Sequence, residues 1–194
     1  MEIDAKGILY SVLTEMDKNK IESNIASNPS QISTIIKEVF AKCTKLLNSY
    51  ADYDKPKVYG GLAEALMHYL LTVVMIPSER KVKYDDIELD LVIPTLKQLQ
   101  TDPKRTLVIS FPKCLDINDI NMRLDKLLKA QPNKNNIWLV FGYHDGTFDS
   151  YKGFTVFVQD GLVKEPFKPL SRIVDEIKLF VETNKIKSFR IFRT

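Results

Sequence analysis

Side chains suited to metal-dependent hydrolysis are concentrated between positions 59 and 113 of the chain. Glu88 and Asp90 are two residues apart in an apolar segment, so on a strand they would share one face and could approach one divalent cation together. Mg²⁺ keeps several of its waters, so two or three carboxylates suffice, and Glu64 could supply the third. Lys113 could orient the attacking water and stabilise the charge that develops on a phosphate.

The elements expected to carry these residues are largely apolar. Gly60-Gly61 precedes an expected helix over residues 62–75, in which Glu64 is the only acid, so the helix is predicted to be buried. A carboxylate on a buried element is costly unless it is paired or bound to a metal. The charges therefore need a structural or a chemical explanation. The strands expected nearby cover residues 81–84, 87–93 and 106–111.

Apolar periodicity along the rest of the chain predicts an α/β fold with a mixed sheet. Strands and amphipathic helices alternate after residue 80, and a largely polar break is expected at residues 17–30. The sequence has no internal repeat and its linkers are short, so we expect a single domain over residues 1–194. The remaining expected elements are helices over residues 3–16, 31–50, 116–130 and 169–183 and strands over residues 137–143, 153–158 and 186–192.

Three segments of the chain resemble the core motifs of one nuclease superfamily. They are residues 60–64 (Gly-Gly-Leu-Ala-Glu), 87–93 (Ile-Glu-Leu-Asp-Leu-Val-Ile) and 107–113 (Leu-Val-Ile-Ser-Phe-Pro-Lys). Their order is similar to that of the PD-(D/E)xK superfamily, which includes restriction endonucleases and archaeal Holliday-junction resolvases. The resemblance implies a restriction-endonuclease-like mixed β-sheet flanked by helices. It divides the chain into an N-terminal helical part (1–58), a nuclease-like core (59–143) and a C-terminal strand-helix-strand extension (144–194).

The resemblance also implies roles for individual residues. Glu64 would be the helix acid, Asp90 the central metal ligand and Lys113 the catalytic lysine. The motif is degenerate, because the acid expected two residues before the lysine is Phe111; Glu88 could substitute from the neighbouring strand. The implied function is a DNA endonuclease that hydrolyses phosphodiester bonds with Mg²⁺ or Mn²⁺, and the resemblance also suggests a homodimer.

Each residue also has a purely structural interpretation. Glu64 could pair with a basic residue such as Arg80 or Lys113, since ion-pair networks and functional sites look alike in a sequence. Glu88 and Asp90 could be the solvated face of an edge strand. The alternative function is accordingly a catalytically inactive nuclease-fold domain that serves as a nucleic-acid-binding or protein-assembly module. A protein-interaction module without any nucleic-acid role is a third possibility.

Basic residues in two regions are candidates for contacting a phosphate backbone. Lys104 and Arg105 are expected to lie near the site, and the C-terminal segment from residue 161 has eight Lys and Arg against four Asp and Glu. The alternative for the tail is a basic edge strand that resists aggregation. The candidate nucleic-acid-binding residues are Lys104, Arg105, Lys187, Arg190 and Arg193.

Composition places few further limits on function. The net charge of +3 neither requires nor excludes a nucleic-acid partner. Cys43 and Cys114 are far apart, which is typical of a reducing compartment, and residues 69–76 are too short an apolar run to cross a bilayer, so we expect a cytoplasmic protein without a membrane partner. No phosphate-binding glycine motif is present, so a nucleotide cofactor is not expected.

Overall fold

A six-stranded mixed sheet organises the part of the chain that the structure, a computed structural model, describes: residues 3–144, 151, 153–162 and 165–186. The strands follow one another across the sheet in sequence order. The first three strands pair antiparallel and the last four pair parallel, which makes the sheet mixed. The strands are β1 (Glu79–Tyr84), β2 (Ile87–Ile93), β3 (Leu107–Ser110), β4 (Ile137–Phe141), β5 (Thr155–Val158) and β6 (Lys168–Pro169).

Helices cover both faces of this sheet. Side chains of β4 alternate between the two hydrophobic clusters, with Trp138 and Val140 on one face and Ile137 and Leu139 on the other. The first face is covered by α1 to α4 and α7, and the second by α5 and α6. The helices are α1 (Ala5–Glu15), α2 (Lys18–Ser27), α3 (Ile32–Leu47), α4 (Lys55–Val73), α5 (Leu96–Thr101), α6 (Ile117–Ala130) and α7 (Ile173–Thr183).

The predicted α/β class and the apolar central strands are confirmed, but two predictions for the N-terminal half of the chain are wrong. Residues 17–30, expected to be a polar break, contain α2, which buries Ile21 and Ile25. The helix expected from residue 62 begins at Lys55, where the Asp54 side chain accepts a hydrogen bond from the Lys57 amide. None of the described helices combines the length and the apolarity that a bilayer-spanning segment requires.

Candidate functional site

Two glycines allow α4 to pack directly against the carboxyl ends of β3 and β4. A Cβ on Gly60 would lie 2.6 Å from the Pro112 carbonyl oxygen, and a Cβ on Gly142 would lie 2.1 Å from the Tyr59 carbonyl oxygen. Both contacts are too close for any other residue unless the backbone moves. The glycines therefore bring the first half of α4, with Glu64, beside the segment that carries Lys113.

Glu64 is buried and held entirely by basic side chains. Only 4% of the Glu64 surface is exposed to solvent. Oε1 accepts a hydrogen bond from Nε of Arg80 at 2.8 Å and lies 2.8 Å from its Nη2, and Oε2 accepts a hydrogen bond from Lys113 Nζ at 3.0 Å. Burial alone would raise the pKa of Glu64, but the hydrogen bonds and charges of Lys113 and Arg80 outweigh it, so the pKa lies below its usual value. The structural interpretation offered for Glu64 paired it with Arg80 or Lys113, and in the structure it is paired with both.

Asp90 is held by a different kind of arrangement at the junction of β2 and β3. Oδ2 accepts hydrogen bonds from Ser110 Oγ at 2.8 Å and from the Phe111 backbone N–H at 2.9 Å. Oδ1 lies 3.2 Å from Nη2 of Arg123 on α6. Phe111, the position at which the nuclease motif would have an acid, thus contributes its backbone amide to Asp90. Ser110 and Arg123 were not anticipated as partners of this acid.

The surroundings of Glu88 differ from those of Asp90, which is partly buried. Glu88 is exposed on β2, in register with Lys83 of β1. Leu89 and Leu91, two residues apart on β2, belong to clusters on opposite faces of the sheet. The regular alternation is interrupted where Lys81 of β1 adopts a φ of 52°, between the residue pairs on either side of Asp90.

The two remaining acids approach one short segment from opposite faces of the sheet. Glu64 contacts Lys113 from the side of the sheet covered by α4. Asp90 contacts Ser110 and Phe111, and its ion-pair partner Arg123 belongs to α6 on the other side. Among the described residues, no three His, Cys, Asp or Glu side chains are grouped so as to hold a metal ion. Basic side chains contact both acids, so a divalent cation at either one would have to displace or share an oxygen with a positive side chain.

The basic residues predicted to lie beside the site are elsewhere. Lys104 and Arg105 precede β3, whereas Lys113 follows it, so the two groups lie at opposite ends of the same strand. Arg105 is used structurally: Nε donates to the Asn184 carbonyl at 2.8 Å and Nη2 to the Lys185 carbonyl at 3.1 Å. The other candidates, Lys187, Arg190 and Arg193, lie outside the described residues.

Comparison with known proteins gives a likeness of fold. No family model and no curated protein matches the chain. Among solved structures, the restriction endonuclease PspGI in complex with substrate DNA aligns with a TM-score of 0.64 and 18% identity, covering 93% of this chain and 94% of that chain. The fold is restriction-endonuclease-like. This confirms the predicted fold class.

Two further structures have the same fold. Metal-depleted Ecl18kI, in one complex with uncleaved DNA and in another with uncleaved, modified DNA, aligns with a TM-score of 0.62 and 12% identity in each case. The alignments cover 97% of this chain and 82% of that chain. The likeness therefore extends over the helices on both faces of the sheet as well as over the segment with the motif-like residues.

Proposed function

We propose that this chain is a DNA-binding domain with a nuclease fold that does not cleave DNA by metal-dependent hydrolysis. The observation that carries the proposal is the pairing of both candidate acids with basic side chains. Asp90 is paired with Arg123. Glu64 is paired with Arg80 and Lys113. A divalent cation at either acid must first displace a positive side chain that already satisfies it.

The cost of such a displacement sets the expected weakness of metal binding. Breaking a buried ion pair costs about 3–5 kcal/mol, and an exposed one costs about 1 kcal/mol or less. The Arg123 and Asp90 side chains are 29% and 18% exposed, which places this pair between the two limits. A cost of about 2 kcal/mol would weaken metal binding roughly thirtyfold. That penalty would fall on a site in which Asp90 is a single carboxylate, the low end of the one or two that Mg²⁺ usually uses.

The DNA part of the proposal is supported by the fold neighbours. PspGI and Ecl18kI were both solved as DNA complexes, and each aligns with nearly the whole of this chain. At 12–18% identity the likeness extends to the fold, so DNA as a ligand of this chain is our inference. Because basic side chains already pair with both acids, we infer that the chain binds DNA without a divalent cation.

The proposal is tested by measuring binding and cleavage of the same DNA. Labelled single-stranded, duplex and four-way-junction DNA are incubated with the protein in EDTA, in Mg²⁺ and in Mn²⁺. We expect salt-dependent binding that is as tight in EDTA as in either metal, and no cleavage product. Asp90→Asn serves as the matched control and should bind DNA as the wild type does. Cleavage that requires metal and disappears in Asp90→Ala and Lys113→Ala would overturn the proposal.

Metal-dependent hydrolysis by Glu64, Asp90 and Lys113 is the second candidate. One observation favours it: Lys113 contacts Glu64, as the resemblance to PD-(D/E)xK nucleases implies for a lysine and a helix acid in one site. It requires Arg80 and Arg123 to leave the acids when metal and DNA bind. The cleavage assay above separates the two candidates, and sedimentation of the protein with and without DNA tests the expected homodimer.

A further inference from the structure

We propose that a basic cleft formed by the starts of α1 and α4, by β1 and by the segment after β3 holds the sugar–phosphate backbone of DNA. This inference rests on the proposed DNA-binding function and gives it a location. The cleft has a volume of about 910 Å³. Five cations line it: Lys6, Lys57, Arg80, Lys81 and Lys113.

The charge of the cleft favours an anionic ligand. Its acids are Asp4, Asp54 and Glu64, so the five cations leave a formal excess of two positive charges. Each of these acids has hydrogen-bond partners within the protein. Asp4 and Asp54 accept hydrogen bonds from the first-turn backbone amides of α1 and α4, and Glu64 is held by its two basic partners. An anion entering the cleft would therefore meet mainly lysine side chains.

The starts of two helices add to the positive potential. Both α1, of 11 residues, and α4, of 19 residues, begin at the cleft, and the amino end of a helix carries a partial positive charge. The neighbouring His68 is consistent with this field. Burial lowers the pKa of His68, and the charges of Arg80 and Lys6 lower it further, since both disfavour a second positive charge nearby.

The distribution of the cations indicates a polymer rather than a small anion. They come from four separate elements and line an open cleft much larger than a single phosphate group. Lysines act as point charges toward phosphates, and a series of them suits a ligand that presents several phosphates in sequence. The other basic region, at Lys104 and Arg105, lies at the opposite end of β3, and there Arg105 is occupied by backbone carbonyls.

The test reverses charges at positions where the fold tolerates the change. Lys6 and Lys57 lie in the first turns of α1 and α4, where an acidic side chain favours the helix dipole, so Glu at either position should not unfold the protein. The triple variant Lys6→Glu, Lys57→Glu, Lys81→Glu is compared with wild type for binding of labelled duplex DNA in EDTA. Lys104→Glu is the positional control, because it makes the same kind of charge reversal, once rather than three times, at an exposed lysine beyond the other end of β3.

We expect the triple variant to lose at least about tenfold in DNA affinity near 0.1 M salt and to have a salt dependence shallower by about two to three phosphate contacts. Its thermal unfolding should match the wild type, and Lys104→Glu should bind with nearly unchanged affinity. Unchanged affinity in the triple variant, or a loss in Lys104→Glu alone, would overturn the cleft while leaving the DNA-binding function in place. Wild type that binds no DNA under these conditions would overturn both.

Discussion

Glu64 and Asp90 are both satisfied acids, yet they are satisfied in different ways. The partners of Glu64 are two basic side chains, which reach it at the base of an open cleft. Asp90 is held by a hydroxyl, a guanidinium and the backbone amide of Phe111 across the β2–β3 pair. The first arrangement consists of charged side chains only, whereas the second also uses a backbone amide of the sheet region.

Glu64 therefore positions two basic side chains, whereas Asp90 links β2 to the end of β3. Removal of Glu64 would leave Arg80 and Lys113 facing each other without an anion between them. Removal of the charge on Asp90 would leave most of its hydrogen bonds available, because an amide oxygen can still accept from Phe111 N–H and Ser110 Oγ. The two acids should therefore respond differently to the same isosteric substitution.

The largest expected difference is in the free energy of unfolding of Glu64→Gln and Asp90→Asn. Glu64→Gln should lose about 3 kcal/mol, the low end for a broken buried pair, because Lys113, whose side chain is 44% exposed, can regain water. Asp90→Asn should lose about 1 kcal/mol. Urea unfolding followed by circular dichroism measures both values.

A surface acid provides the control for this pair of variants. Glu15 pairs with Lys42 on the surface, so Glu15→Gln should leave the unfolding midpoint unchanged. Equal losses for Glu64→Gln and Asp90→Asn would contradict the distinction between a charge-held and a backbone-held acid.

A second prediction concerns the contact that places Glu64 beside Lys113. Gly60→Ala should destabilise the protein by about 2 kcal/mol, because its Cβ would meet the Pro112 carbonyl oxygen and α4 would have to move. Gly61→Ala is the matched change one residue on: its Cβ would make an ordinary 3.4 Å contact with the Ala5 Cβ. It should stabilise α4 by up to about 1 kcal/mol. Chemical denaturation measures the free energy of unfolding of both variants. Equal changes in the two variants, or a larger loss in Gly61→Ala than in Gly60→Ala, would contradict the close packing.

Acid should remove the contribution of Glu64 in a predictable direction. Its pKa is lowered in the folded protein, so the ionised carboxylate stabilises the fold above the unfolded carboxyl pKa of about 4.3, and that stability is lost as the pH falls through the folded value. The stability gap between wild type and Glu64→Gln should therefore begin to narrow below about pH 5 and close only as the pH falls through the folded pKa. Urea unfolding at several pH values between 7 and 3 measures it. A gap that closes already above pH 5 would mean that burial outweighs the two basic partners.

The sequence predicted those parts of this arrangement that depend on local pattern. The apolar strands around Asp90 and before Lys113 were recognisable because their side chains lie on buried elements, and the order of elements led to the restriction-endonuclease-like fold. Glu64 on a buried helix, with Arg80 or Lys113 as a possible partner, was also among the expectations. Each of these inferences needed only neighbouring residues or the sequence of elements.

Contacts between distant elements could not be predicted in the same way. Arg123 is 33 residues from Asp90, and nothing in the periodicity of α6 indicates that it turns toward β2. Gly60 and Gly61 were expected to precede a helix, but both lie inside α4, and Gly60 packs against the Pro112 carbonyl after β3, a contact that depends on the tertiary fold. Lys104 was expected near Asp90 and Lys113 because it is close to them in the sequence. The sequence does not show that Lys104 and Lys113 lie at opposite ends of β3.

The smallest expected effect is a gain of metal binding when the charge of Arg123 is reversed. Arg123→Glu would place a second carboxylate where the guanidinium now meets Asp90, and two carboxylates with several waters suffice for Mn²⁺. With a dissociation constant on the order of 1 mM, 5 mM Mn²⁺ would stabilise this variant by about 1 kcal/mol.

Thermal unfolding in Mn²⁺ and in buffer without any divalent metal measures this gain in stability. The wild type should not respond, because Arg123 already supplies the positive charge at Asp90. Asp90→Asn combined with Arg123→Glu should not respond either, since only one carboxylate remains. If instead the wild type is stabilised by Mn²⁺ and Asp90→Asn abolishes the effect, Arg123 yields to metal. Asp90 would then be a working ligand, and metal-dependent hydrolysis would become the better account of this fold.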